Sequence, residues 1–306
     1  MATMKSVQTA GVGKVEVVDA ERPVPGPKDV LVRIRACGIC GTDVTFVHMG
    51  GMPARSHLGG DLVPVRLGHE PAGEVVQVGA EVGRSVAVFP DSVPFDVASL
   101  NEPMAVACHC VNRSEAGPED RVVVFGAGPI GLGAAIWLKL RGVGHVVVAD
   151  VIPSRLEKAL AVGADAVINS AEEDVTARLT ELHGQAANAL GQPRPGTDIF
   201  IDAAGAAAVF NTVVGAAKWG AKLVMVAVQK KGSDIDLGGM LRSELTLIAS
   251  QGYPTEIFEV TPELVEHQDR FAKLISHRIA SSEIDRAFEL ALTPGAAEKV
   301  VVTYDA

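Results

Sequence analysis

Two short segments hold residues that could do chemistry together. In GICGTD, Gly38 to Asp43, a thiol (Cys40) is followed by a hydroxyl (Thr42) and a carboxylate (Asp43), and 29 positions after the cysteine LGHE supplies His69 and Glu70. Thiolate, imidazole and carboxylate are donors that zinc accepts, and a catalytic zinc keeps one position open for water or substrate. Cys40 and His69 are the strongest candidate ligands. The third is either Glu70 or Glu102, which lies in LNEPMAVACH. A lone histidine is more often a satisfied core residue, and a lone cysteine a small buried hydrophobe; the shared setting in GICGTD and GHE tips the balance toward a metal.

The second statement is VVVFGAGPIGLG, residues 122–133, a β-like run entering a glycine-rich turn that opens a helix. Gly126, Gly128 and Gly131 form GxGxxG. The first glycine permits the tight turn, the second lets a diphosphate approach the backbone, and the third lets helix and strand pack closely. Pro129 and Ile130 lie inside the turn and complete the candidate cofactor contacts. Asp150 ends the next apolar run, 19 residues after Gly131, where a carboxylate binds ribose hydroxyls and repels a 2′-phosphate, favouring NAD over NADP. Arg155 tempers that preference. FAD or a regulatory nucleoside could occupy the same turn.

The elements that must position these residues divide the chain. Residues 1–112 contain short β-like runs (KVEVVDA, DVLVRIRACG, AGEVVQVG) punctuated by proline and glycine, as β-rich modules are. Residues 113–250 alternate apolar β-branched runs with helical stretches, the pattern of a parallel sheet covered on both faces. Residues 251–306 hold two helix-like stretches, the second with Ser282 as a candidate cap, and a final strand, KVVVTY, and are expected to return to the first, catalytic domain. The stretch from Gly184 to Gly196 reads as a surface loop, and His48, Met49, Met52, Arg55 and His57 as a loop near the site. The fold class is therefore α/β, a Rossmann-type doubly wound sheet joined to a β-rich domain.

Composition narrows the ligand. A net charge of −10 with a pI near 5.3 and no Lys/Arg run argue against nucleic acid and anionic membrane as partners and point to a small molecule. The N-terminus lacks a signal-peptide core and no stretch approaches the length of a spanning helix, so a cytoplasmic location is expected. Four cysteines in 306 residues are too few for a disulfide scaffold. Cys108 and Cys110, two apart on a helix, point about 200° from each other and cannot share an ion; they and Cys37 are expected to pack in the core.

These segments resemble the medium-chain zinc-dependent alcohol dehydrogenase family, and the Glu102-Pro103 pair is most similar to its sorbitol, threonine and butanediol dehydrogenase branch. The resemblance covers nearly the whole chain, including PGPKDVLVRIRACGICGTD, LGHEPAGEVVQVG, the nucleotide motif and AFELAL followed by KVVV. It implies a GroES-like catalytic domain, and it puts Cys40, His69 and Glu70 on zinc positions, with Glu102 where this branch has a glutamate beside the metal. It assigns Thr42 to take the alcohol proton and Asp43 to support the site from behind the ligands. The implied reaction moves a hydride between a secondary alcohol or polyol and NAD through a zinc-bound alkoxide, interconverting alcohol and ketone.

Two departures stand out. Only 31 residues separate Glu70 from Glu102 and none is cysteine, so one catalytic zinc and no structural zinc are expected, in a catalytic domain short of barrel strands as well as the usual lobe. Thr45 stands where the family often has a histidine, so the proton leaves through His48 or water. Family habit implies a homodimer or homotetramer, with ELTLIAS offering a sheet edge. The rival readings are a zinc-free enone or quinone reductase of the same superfamily and a non-catalytic dinucleotide-binding protein.

Overall fold

The computed structural model describes residues 2–54, 61–83, 86–229, 232 and 234–304; Arg55 and His57 lie outside them. Two compact units are present, one built from residues 1–101 and 275–306, the other from 102–274.

The first unit opens with the antiparallel ladder β1 (Thr3–Thr9) and β2 (Val15–Glu21). Strand β3 (Val30–Gly38) leads into helix α1 (Gly41–Met49), and the short β4 (Met52–Pro53) and β5 (Leu62–Val63) precede β6 (Glu70–Val78) and helix α2 (Phe95–Ala98). His48 and Met49 thus end a helix instead of lying in a loop, because Gly50, at φ 82, supplies the left-handed cap only there.

Helix α3 (Asn101–Ser114) crosses into the second unit. There follow β7 (Arg121–Phe125), α4 (Pro129–Leu140), β8 (His145–Asp150), α5 (Pro153–Ala161), β9 (Ala166–Asn169) and α6 (Val175–His183). A small hairpin, β10 (Gln185–Ala187) and β11 (Pro193–Pro195), occupies the stretch read from sequence as a plain loop. Its tip is closed by the Asn188 carboxamide, which accepts from the Leu190 and Gln192 amides at 3.0 and 3.1 Å, an Asx arrangement that imitates a turn. Next come β12 (Ile199–Asp202), α7 (Ala207–Ala216), β13 (Lys222–Met225), α8 (Leu237–Ser243), β14 (Thr246–Ala249), α9 (Glu256–Glu266) and α10 (Gln268–Ala272).

The chain then returns to the first unit with β15 (His277–Ala280), α11 (Ile284–Leu292) and β16 (Val300–Thr303). Ser282 sits in a single 3-10 turn and makes no cap bond; the residue preceding α11 is Glu283. Among the described residues no helix is long and apolar enough to cross a membrane.

Six parallel strands form the sheet of the second unit in the order β14-β13-β12-β7-β8-β9. Valines 122–124 and 146–148 are fully buried, as strands covered by helices on both faces must be. Phe200, Val123, Val147, Leu179 and Leu223 anchor one side.

Helix α3 belongs with this unit because Met104 and Ala107 close on Gly133 of α4, where a Cβ would stand 2.7 Å from Met104 Cε, and because Trp137 Nε1 donates to the Met104 carbonyl at 3.1 Å. Helices α9 and α10 stay with it through His109 to Glu256 (2.8 Å) and Phe271 against Trp137. The unit boundaries accordingly fall at 101/102 and 274/275, not at the 112/113 and 250/251 read from the change in pattern.

In the first unit the main sheet has the order β15-β16-β3-β6, with Val47, Ile279, Phe288, Val300 and Val302 in its core. The register of β3 on β6 shifts between Leu31 and Val32, so Val76 is an extra residue on β6, and Val75, Val76 and Val78 are all exposed. Such a bulge blunts an edge strand against pairing with another chain.

Candidate metal centre and nucleotide turn

Strand pairing assembles the metal candidates. In the β3–β6 ladder Gly38 lies opposite Glu70, so the chain beyond β3 and the residues opening β6 meet at one end of the sheet. Cys40 is the N-cap of α1: its sulfur accepts from the Thr42 amide at 3.5 Å, and the Asp43 carboxylate accepts from the Cys40 amide at 3.0 Å. This reciprocal pair is a capping box with cysteine in the hydroxyl position, and it fixes where the sulfur stands.

Asp43 is buried. Its other oxygen accepts from the Gly68 amide at 3.1 Å and lies 3.5 Å from His69 Nδ1. Burial works against its charge, but hydrogen bonds from His69 and the Cys40 and Gly68 amides outweigh that and hold the carboxyl below its usual range. The same contact to Asp43, reinforced by Cys40, raises His69 to about 11. A metal takes the neutral ring as its ligand, so metal binding at His69 is proton-linked.

Glu70 has a partner that the motif does not reveal. Its carboxylate is bonded to Lys299 Nζ, with the two side chains 1% and 2% exposed. Lys299 Nζ also donates to the Ile39 carbonyl at 3.1 Å. Gly38 makes room for the pair, since a Cβ there would lie 1.9 Å from Glu70 Oε2 and 2.9 Å from Lys299 Cε. The sequence signal for Lys299 is one cation directly before the three valines that open β16.

Cys40, His69 and Glu70 each present a ligand atom, and the three lie within 4.8 Å of one another. Sulfur, nitrogen and oxygen donors this close suit a zinc ion, whose ligand bonds are about 2.0–2.3 Å long, so the donor set fits the metal. Glu102 is half-buried at the start of α3, in the second unit. Thr42 is exposed on the first turn of α1. Thr45 spends its hydroxyl on the Gly41 carbonyl at 2.9 Å. Cys37, Cys108 and Cys110 are buried, and burial pushes each thiol up to about 12, as inert core residues. Glu263, Glu266 and His267 form a second donor group on one helical turn.

The nucleotide turn lies at the carboxyl end of β7. Gly126 has φ 94, and a Cβ at Gly131 would stand 1.8 Å from the Gly126 carbonyl, whereas a Cβ at Gly128 would meet nothing within 4 Å. The first and third glycines are thus required by the turn itself, while the second faces open space. Gly128 caps α4 without a side-chain bond, and Pro129 opens the helix, leaving the first-turn amides, Ile130 among them, to receive an anion. The cradle fits a dinucleotide diphosphate.

Asp150, at the end of β8, accepts from the Ala127 amide at 2.6 Å and from Val151 and Ile152 at 2.7 and 2.9 Å. Its carboxylate therefore braces the glycine turn and keeps little acceptor capacity for ribose. Arg155 Nη1 is 4.0 Å away, and its Nε is buried with no partner.

Comparison with known proteins agrees with this geometry. The model for the alcohol dehydrogenase GroES-like domain matches residues 26–136, and that for zinc-binding dehydrogenases residues 129–267. An L-threonine 3-dehydrogenase of Sinorhizobium medicae is 28% identical, covering 92% of this chain and 94% of its own. That alignment runs over 339 positions, more than the chain has residues, so the relative carries stretches with no counterpart here.

Among solved structures, an Escherichia coli oxidoreductase of unknown specificity superposes with a TM-score of 0.85 at 24% identity, covering 100% of both chains. A zinc-binding dehydrogenase from Sinorhizobium meliloti bound to NADP gives 0.81 at 25% identity, covering 99% of this chain and 100% of that one. The chain belongs to the medium-chain alcohol dehydrogenase family and is an oxidoreductase.

Proposed function

We propose that the chain is a zinc-dependent dehydrogenase that moves a hydride between the carbinol carbon of a secondary alcohol or polyol and NAD. The observation that carries this reading is the convergence of Cys40, His69 and Glu70 within 4.8 Å in a chain that also bears a complete glycine turn. Cys40, His69 and Glu70 would hold one zinc, with Glu70 preferred to Glu102 as third donor. Zinc there supplies a Lewis acid that lowers the pKa of an alcohol toward neutrality.

The protein's own groups do the rest. Asp43 holds the His69 ring in one orientation. Lys299 balances the Glu70 charge, so that the site does not bury an uncompensated carboxylate. The Thr42 hydroxyl accepts the substrate proton, and with Thr45 committed to its own helix the proton continues through His48 or water. The α4 amides bind the coenzyme diphosphate, and NAD supplies the hydride-accepting ring. Asp150 disfavours a 2′-phosphate, while the unpartnered Arg155 Nε keeps NADP as the second coenzyme to assay.

Leu247 on the uncharged edge strand β14 is exposed, which supports a homodimer or homotetramer formed through that edge.

The test is steady-state oxidation of secondary alcohols, polyols and L-threonine with NAD and with NADP, on wild-type protein and Cys40→Ser. Wild-type turnover that disappears in the variant together with its zinc supports the reading. Unchanged turnover in Cys40→Ser, or NADPH-dependent reduction of enones with no alcohol oxidation, would refute it.

A further inference from the structure

Asp202 is the last residue of β12 and is 3% exposed, a carboxylate for which neither the metal site nor the glycine motif has a use. Its Oδ1 accepts from the Ala204 and Gly205 amides at 3.0 and 2.8 Å, and its Oδ2 accepts from Gln229 Nε2 at 2.8 Å. Its own carbonyl accepts from Val226 and Ala227 at 3.0 and 3.1 Å. In register it stands between Phe125, which ends β7, and Met225, which ends β13. One residue thus ties together the turns that leave β12 and β13. The β12 turn in turn presses on the glycine motif, for a Cβ at Gly126 would lie 2.9 Å from the Ala204 amide and one at Gly131 3.4 Å from Ala203 Cβ.

The sheet order gives this hub its meaning. The chain runs outward from β7 through β8 to β9 on one side, and from β12 through β13 to β14 on the other, so the topological switch point lies between β7 and β12. A dinucleotide bound there straddles the carboxyl ends of both halves. Asp150, on β8, marks the adenosine side. The nicotinamide half must then cross toward β12 and β13, over the turns that Asp202 gathers. A buried carboxylate that satisfies two backbone amides and one carboxamide is a strong anchor, because bonds to an ionised acceptor are about twice as strong as neutral ones.

We infer that Asp202 is a positioning residue for the nicotinamide half of the coenzyme: through Ala204, Gly205 and Gln229 it sets the floor on which that half rests, and it has no part in holding the adenosine half. This inference rests on the dinucleotide reading above, and it adds the division of labour between the two halves of the sheet.

The experiment is calorimetric binding of ADP-ribose and of NADH to the full chain, as wild type, Asp202→Ala and Asp202→Asn. Alanine removes the acceptors. Asparagine keeps an oxygen for the two amides, and Gln229 can turn its own oxygen to the new NH2 group, so the geometry survives without the charge.

The expected result is that Asp202→Ala, whose β12 turn also touches the glycine motif, loses at most about twofold in affinity for ADP-ribose but binds NADH about tenfold more weakly, and that Asp202→Asn restores most of the loss. A merely structural role would weaken both ligands together, and equal losses for ADP-ribose and NADH in Asp202→Ala would overturn the inference. So would unchanged NADH affinity. Wild-type protein that bound neither ligand would instead refute the dinucleotide reading itself.

Discussion

Replacing Lys299 by methionine keeps most of the side-chain volume and removes the cation facing Glu70. Because both side chains are almost fully buried, the variant leaves a carboxylate with neither water nor a counter-charge, and stranding one member of a buried pair costs about 3–5 kcal/mol. Loss of the bond to the Ile39 carbonyl adds about 1 kcal/mol.

Denaturant titration of zinc-free protein measures the deficit directly. The expected loss is about 4–5 kcal/mol, with much of it recovered in Glu70→Gln/Lys299→Met. A loss below about 1 kcal/mol, well under the range for a stranded partner, or a double variant less stable than Lys299→Met, would show that the pair is not the buried, mutually dependent ion pair described.

Three further outcomes follow from particular contacts. Gly131→Ala puts a methyl 1.8 Å from the Gly126 carbonyl, so ADP-ribose binding measured by calorimetry should be lost; wild-type affinity would mean the turn can yield. Gly38→Ala forces a methyl onto Glu70 and Lys299, and overpacking of this kind costs about 1–3 kcal/mol, to be read as a lowered thermal midpoint and, if Glu70 is a ligand, as weaker zinc retention. His183 is buried between Thr197 and His145, and burial, then His145 and Arg121, lower it to about 4. The unfolded chain binds that proton near pH 6.5 and the folded chain does not. Its contribution to stability is present above about 6.5 and is lost as pH falls toward 4, so thermal midpoints should drop across that window, and a His183→Gln variant that titrated identically would refute the assignment.

Much of the architecture was legible because local chemistry and fold agree. The all-valine runs before Gly126 and Asp150 could only be strands buried on both faces, and GxGxxG between strand and helix leaves little freedom. The cysteine and the histidine were legible as a pair through their motifs, whereas the motifs did not reveal that Glu70 stands opposite Gly38 in the β3–β6 register.

What stayed hidden depends on contacts distant in sequence. Lys299 reaches Glu70 across 229 positions. Asp202 looks like an ordinary polar end to an apolar strand until the neighbouring turns are seen to converge on it. The unit boundaries differ from the change in pattern because no local pattern names the partners of α3 and α9. The Gly184–Gly196 stretch is rich in proline and glycine, and its pairing into a hairpin relies on Asn188 closing the tip.

Elemental analysis of exhaustively dialysed protein decides whether Cys40, His69 and Glu70 hold a single zinc. One zinc per chain is expected in wild type, falling sharply in Cys40→Ser while the dinucleotide turn still binds ADP-ribose. Zinc-free wild-type protein that nonetheless oxidised an alcohol, or a stoichiometry unaffected by Cys40→Ser, would contradict it.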